Sequence, residues 1–239
     1  MEVLAIIPAR GGSKSIPLKN MKLLNRKPLI DYSIQAALKS KYVSRIIVST
    51  DNEKIEKYAI KNGIEVPFKR PAKLSNDRAS TIDVIRHAIN FLDEKESYIP
   101  DVVTLLQPTT PFRTVKMIDS SIRLLNQSKA DIIIAVKNSK NHPFRTFWYK
   151  KFLKPLNKDF LKYHQRQMFP KCYYPTGEIY TFWTKNLKKF NHMYGPKILP
   201  LIPKNHISID IDEPLDFFIA EQIMKKLNRS STHNISKIF

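Results

Sequence analysis

The sequence is short of several things, and each shortage excludes something. Cys172 is its single cysteine, which leaves no disulfide framework and no cysteine-based zinc site. No apolar run approaches the length of a membrane span. The first apolar run, 3–7, is too short for a signal peptide and breaks at once into Arg-Gly-Gly, so a soluble, cytoplasmic protein is expected. Five glycines in 239 residues form neither a P-loop, G-x-x-x-x-G-K-[ST], nor a G-x-G-x-x-G dinucleotide loop. The six histidines form no cluster, and His142, His164 and His192 lie in basic, aromatic text without metal-ligand spacing. No repeat or low-complexity tract occurs.

Acids are scarce too. There are 21 Asp and Glu against 41 Lys and Arg, a formal charge of +20. The excess is local: residues 137–204 hold 15 Lys and Arg and only two acids, Asp159 and Glu178. Such a surface suits an acidic ligand or a nucleic acid, or is simply solvated lysine. A hydrophobic content of 42% excludes a disordered chain and is ample for one core.

Strand-like and helix-like segments then alternate. Residues 3–7 are a continuous apolar run, as in a buried parallel strand. Helical spacing follows over 28–39, a strand over 45–50, a helix over 53–61 stopped by Asn62-Gly63, and a short strand over 64–68. Residues 80–92 read as a helix with Ser80 and Asp83 as a capping box. A strand at 102–106, a helix at 116–125 and a strand at 132–136 come next. This order predicts an α/β fold, a mostly parallel Rossmann-like twisted sheet with helices on both faces. From 138 to 176 the text turns aromatic and basic, an excursion of hairpins packing on a second subunit, since Phe147, Trp148, Tyr149 and Phe152 otherwise form an exposed apolar patch. The main fold resumes with strands at 178–183, 198–202 and 208–212 and a helix at 214–227. The expected organisation is one domain, 1–228, carrying the excursion 138–176, and a loose tail, 229–239.

Three places can carry chemistry. In an open α/β sheet, ligands bind beyond the carboxyl ends of the strands. The loop 8–20 sits at such an end, with Gly11 and Gly12 offering backbone amides, Ser13 a hydroxyl, and Arg10, Lys14 and Lys19 positive charge for a polyphosphate. On these residues alone it is equally an ordinary strand-to-helix turn. In Ser208-Ile209-Asp210-Ile211-Asp212, strand alternation puts both carboxylates on one face, where a cation relieves their repulsion. Mg²⁺ takes one or two carboxylates plus water and phosphate oxygens. The bland reading is an acidic edge in which Asp212 or Glu213 helps to start the next helix. The third place, Gln107-Pro108-Thr109-Thr110-Pro111-Phe112-Arg113, is a polar segment stiffened by prolines. Gln107 is placed either to read a ligand or merely to turn the chain.

IIPARGGSKSIPLKN, RPAKLSNDRAST, LLQPTTPFRT, RQMFPKCYYPTGEIY and SIDID, in this order, together resemble the cytidylyltransferases that activate nonulosonic acids: the CMP-sialic acid synthetases and their pseudaminate and legionaminate relatives. The resemblance runs from residue 3 to about 225. It implies a nucleotide-diphospho-sugar transferase-like fold and transfer of CMP from CTP to the anomeric hydroxyl of an acidic 2-keto sugar, with release of pyrophosphate. It implies that Arg10, Ser13, Lys14 and Lys19 hold the triphosphate with Asn20 nearby, and that Arg70, Ala79 and Thr81 surround cytosine and ribose. Gln107 and Tyr180 would face the sugar, with Thr176 at a sugar-binding position. Asp210 and Asp212 would hold Mg²⁺, and Arg145 and Arg166 would come from the excursion of a homodimer to receive the sugar carboxylate.

The sequence departs from the family pattern at three positions. Ser15 stands where the family has glycine, a cost of about 1 kcal/mol if that position needs a positive φ. Tyr174 replaces a cation, and Thr176 replaces an asparagine amide; both bear on which sugar is used. The alternatives are a 3-deoxy-manno-octulosonate-type nucleotidyltransferase and a basic nucleic-acid-binding protein, the latter favoured only by the cationic, aromatic segment.

Overall fold

A computed structural model describes residues 1–139, 141–162 and 165–230 of the chain. It divides into two compact units, residues 1–135 with 176 onward, and Val136–Pro175.

The larger unit starts with β1, Val3–Pro8, then the short pair β2, Leu23–Leu24, and β3, Lys27–Pro28, and helix α1, Leu29–Leu38. Strand β4, Arg45–Ser49, leads to α2, Glu53–Lys61, and then to α3, Thr81–Glu96. Next come β5, Val102–Leu105, α4, Val115–Gln127, and β6, Ile132–Asn138. The smaller unit holds the hairpin of β7, Phe147–Tyr149, and β8, Leu153–Pro155. The chain returns through β9, Tyr173–Trp183, and ends with α5, Asn186–Lys189, β10, Ile198–Leu201, and α6, Pro214–Ser230.

The main sheet has the order β10-β6-β9-β5-β1-β4. β1 pairs in parallel with β4 and β5, and β10 in parallel with β6, whereas β9 runs antiparallel to β5. Period-two alternation sorts β1 between two covers. Val3, Ala5 and Ile7 join a core with Ile30 and Ile34 of α1, Ile55 and Ala59 of α2, and Ile118 and Ile122 of α4. Leu4 and Ile6, at the alternate positions, are equally inaccessible, so both faces are covered. Such double burial is why the strands read as unbroken apolar runs.

Helix starts follow local chemistry. Asn52 accepts from the amides of Lys54 and Ile55 at 3.0 and 3.3 Å, and Thr114 from that of Met117 at 3.2 Å. Ser80 accepts from the Asp83 amide at 3.1 Å while its hydroxyl donates to the Asp83 carboxylate at 2.6 Å, the expected reciprocal cap.

Two expected strands are corrected. Residues 64–68 make one isolated bridge, Glu65 to Ile47, with a second just beyond at Lys69 to Thr50, because Pro67 brings no N–H to a ladder. Residues 208–212 are extended but unpaired with a strand: the Ile211 amide donates to Thr109 O at 2.8 Å and its carbonyl accepts from the Lys19 ammonium at 2.7 Å. Of the expected tail, 229 and 230 belong to α6, and the remainder lies outside the described residues, as does His164.

Candidate active site

Beyond the carboxyl end of β1 lies a cleft of about 640 Å³, walled by Arg10, Gly12, Ser13, Lys14, Lys19 and Asn20 from the opening loop. Arg70, Ala79 and Thr81 line one side, and Gln107, Asp210 and Asp212 the other. Four segments far apart in sequence thus meet at one place.

The loop is built by contacts on either side of its glycines. The Gly11 amide donates to Asp51 at 2.8 Å. A Cβ at Gly11 would stand 2.7 Å from the Asn52 amide nitrogen, so glycine is what lets the loop rest on the cap of α2. A Cβ at Gly12 would meet nothing within 4 Å, since that position faces the open cleft. The buried Asn20 donates to Arg10 O at 2.9 Å and fixes the loop's curvature. The concern over Ser15 is resolved by the backbone. Ser15 is not among the described residues with positive φ, whereas Leu18 is, at +47°. The left-handed residue that starts the turn at Lys19 is therefore a leucine. Ser15 instead donates its hydroxyl to the Asp212 carbonyl.

The acidic side is pinned to the same loop. Lys19 bridges the Ile211 carbonyl and, at 3.2 Å, the Asp212 carboxylate. Ile211 is fully buried between the two aspartates, so both carboxylates turn outward as alternation predicts, without a sheet. Lost hydration pushes the Asp210 carboxyl up, a hydrogen bond from Thr109 opposes this, and the Asp212 charge adds to it. The helix start is the task of Asp216, which accepts from the Asp212 and Glu213 amides at 3.0 and 2.9 Å. Asp212 is thereby spared that duty.

Behind Gln107 stands Arg113, almost inaccessible, which donates to Gln107 O, Thr110 Oγ1 and Ser33 Oγ at 2.7, 2.7 and 2.8 Å and to the Glu178 carbonyl. Burial pulls its pKa down to about 10 against the opposing pull of Glu178 and Asp210. Arg70 is also buried, bonded to Ser49, and burial lowers it to about 10. Gly177 takes φ +77°, and a Cβ there would lie 3.1 Å from Asp210 Oδ2 and 3.2 Å from Gln107 Oε1. The second glycine constraint of the site is therefore this one. The tight run Pro175-Thr176-Gly177 was its signal in the sequence.

Other expected site residues stand elsewhere. Thr176 is 4% exposed, and its hydroxyl donates to Glu178 Oε2 at 2.8 Å and to Ala135 O at 3.2 Å. Its hydroxyl is bonded inside the protein, and Thr176 does not line the cleft. Tyr180 does not line the cleft; burial, then Tyr194 and Asp210, push its hydroxyl up to about 12, so it stays a donor. In the smaller unit the Arg145 guanidinium lies 5.5 Å from the Phe169 ring centre and 5.9 Å from that of Phe160. Arg166 opens a single helical turn, Arg166–Met168; its side chain is outside what is described.

Sequence reasoning missed Asp77, whose carboxylate pairs with Arg10 at 2.7 Å and Lys14 at 2.8 Å. It also missed Glu178, fully buried and held by His206 Nε2 at 2.6 Å.

The fold is one shared with nucleotidyltransferases: a CMP:2-keto-3-deoxy-manno-octonic acid synthetase complexed with CTP superposes with a TM-score of 0.69 at 15% identity, over 95% of this chain and 100% of that one. A family profile described as cytidylyltransferase matches residues 4–194, and the chain belongs to that family. It is 32% identical to the N-acylneuraminate cytidylyltransferase of Escherichia coli O18:K1:H7 over 95% of its own length and 53% of the relative's, so it spans about half of that protein. It is 34% identical to the CMP-N,N'-diacetyllegionaminic acid synthase of Legionella pneumophila, over 94% of this chain and 97% of that one.

Proposed function

We propose that this chain transfers CMP from CTP to the anomeric hydroxyl of a nonulosonic acid and releases pyrophosphate. One observation carries the reading: the cations Arg10, Lys14 and Lys19 and the carboxylates Asp210 and Asp212 line one cleft at the carboxyl end of β1. A binding surface for nucleic acid has no use for paired carboxylates facing its cations.

The chain's own groups divide the work. Arg10, Lys14 and Lys19 neutralise the triphosphate and then the departing pyrophosphate, with Ser13 as hydroxyl donor. Arg70, Ala79 and Thr81 border the nucleoside. Gln107, held from behind by Arg113, meets the sugar. The sugar hydroxyl attacks the α-phosphorus in line while the bond to pyrophosphate breaks.

Magnesium fits the donor set. Asp210 and Asp212 are hard oxygen donors that repel each other, Lys19 and a hydrogen bond from Thr109 offset this in part, and among the described residues no group of three or more ligating side chains gathers. Two carboxylates leave positions for phosphate oxygens and water, the coordination magnesium prefers. When bound, the ion supplies charge neutralisation at the phosphates and acidifies the attacking hydroxyl. We further propose a cytoplasmic homodimer formed through 138–176. Among the described residues no helix is long and apolar enough to cross a membrane.

The test is pyrophosphate release from CTP with N-acetylneuraminate, legionaminate, pseudaminate and 3-deoxy-manno-octulosonate, each with and without magnesium. Turnover is expected with a nine-carbon acid only. Turnover with the octulosonate alone, or steeply salt-dependent RNA binding without turnover, overturns the reading.

A further inference from the structure

Asp77 is the acid at the cationic end of the cleft. Its two carboxylate oxygens divide between Arg10 and Lys14, at 2.7 and 2.8 Å, so one side chain engages two of the three cations assigned to the triphosphate. Each pair engages one nitrogen of a cation that has further N–H donors, so the contest is over charge: a triphosphate that draws on Arg10 and Lys14 competes with Asp77 for the same two positive groups.

The surroundings suit an exchange rather than a fixed bond. The Asp77 side chain is 41% exposed and that of Lys14 87%, and ion pairs so open to water contribute little. Lys14 and Arg10 nonetheless hold the Asp77 carboxyl below the usual range, so it is charged and remains a competitor across working pH. It also has somewhere to go. Asp77 lies on the rim between the main cleft and a second hollow of about 520 Å³ lined by Lys73 and Arg78, whose cations can receive a displaced carboxylate. The hinge is short: the Arg78 amide donates to Asn76 Oδ1 at 2.8 Å, and Ala79, two residues beyond Asp77, already lines the nucleoside side.

We propose that Asp77 is a displaceable counter-anion that holds Arg10 and Lys14 in the empty cleft and sets the affinity and selectivity for polyphosphate by competing with it. A weak anion such as inorganic phosphate fails to dislodge a tethered carboxylate, whereas a chelating polyphosphate succeeds. The proposal rests on the assignment of the cleft to CTP.

Binding of inorganic pyrophosphate, without added metal and at low and moderate salt, tests it in the intact protein. Asp77→Asn and Asp77→Ala are expected to bind pyrophosphate about 2- to 5-fold tighter, the scale of one exposed ion pair removed from competition. They are also expected to gain measurable affinity for inorganic phosphate and to show a lower KM for CTP without a rise in kcat. Asp77→Glu keeps wild-type affinity, and Arg10→Ala binds pyrophosphate more weakly. A purely structural role for Asp77 cannot produce tighter binding. If Asp77→Asn binds equally or less well while Arg10→Ala is weakened, the competition is refuted and the site assignment stands. If Arg10→Ala changes nothing, the cleft is not the polyphosphate site and the proposal falls with it.

Discussion

Residues 1–135 with 176 onward bury a continuous apolar core, whereas in Val136–Pro175 the only buried residue among those described is Val136. The larger unit hides its branched aliphatics under helices on both sides of a sheet. The smaller one shows Trp148, Tyr149 and Phe152 to solvent at 65, 79 and 71% exposure. Its internal order comes from a short hairpin and ring contacts such as Phe147 against Phe160 at 5.0 Å. The lesson is one of self-sufficiency. A unit with a core of its own can carry a cleft whose geometry it controls, while one without has surface left over for a partner.

The sharpest way to probe this contrast is to remove chemistry from the larger unit without touching its core. Asp210→Ala or Asp212→Ala is expected to lower turnover by at least about 10²-fold while the melting temperature moves by no more than about 3 °C, because neither side chain belongs to the apolar core. Near-normal turnover in magnesium sinks the assignment of the acidic pair. Lys19→Ala follows, with kcat/KM down about 10- to 100-fold, since it loses both a phosphate-neutralising cation and the tie to Ile211. Assayed side by side, the variants separate the two walls of the cleft.

The smaller unit is probed by its surface. Trp148→Glu with Phe152→Glu is expected to leave a monomer in sedimentation, with the main unfolding transition shifted only slightly because no core of the larger unit is involved. A dimer that survives both charges places the partner elsewhere.

The smallest effect expected is on pH. His87, 4.6 Å from the Phe68 ring centre with Nδ1 buried and unpartnered, has its pKa lowered by burial and then by Arg70 and Lys73. The unfolded chain therefore takes up this proton first. The stability contribution is full above the ordinary value of 6.5 and is lost as pH falls toward the folded value. His87→Phe should flatten the decline in melting temperature as pH falls below 6.5. An unchanged slope assigns the acid sensitivity to other groups.

Much of the frame was legible because burial on both faces of a strand and caps such as Ser80 with Asp83 are local signals. The cleft's walls were legible by another route: the residue types at the strand ends left structural readings open, and the resemblance carried by five ordered motifs supplied Arg70, Ala79 and Thr81. What escaped was set by contacts between distant segments. Nothing in a leucine announces the positive φ of Leu18, while Ser15, which departs from the family pattern, proves ordinary in backbone. Asp77 looked like loop filler because its partners lie more than 60 residues away. Thr176 has the residue type of a ligand contact and the surroundings of a packing residue. The strand expected at 208–212 failed for a similar reason, its hydrogen bonds going to Thr109 and Lys19.

Lys19 and Ile211 are separated by 192 residues, and Ser15 and Asp212 by 197. The stitch between the loop and the acidic pair therefore has a consequence in time. On a ribosome adding about 5–20 residues per second, the opening loop waits roughly 10–40 s for its acidic counterpart. Through that interval a nascent chain can hold the cationic half of the cleft without the other. A chain arrested before residue 210 lacks both carboxylates and the bonds from Ser15 and Lys19 that tie their segment to the loop.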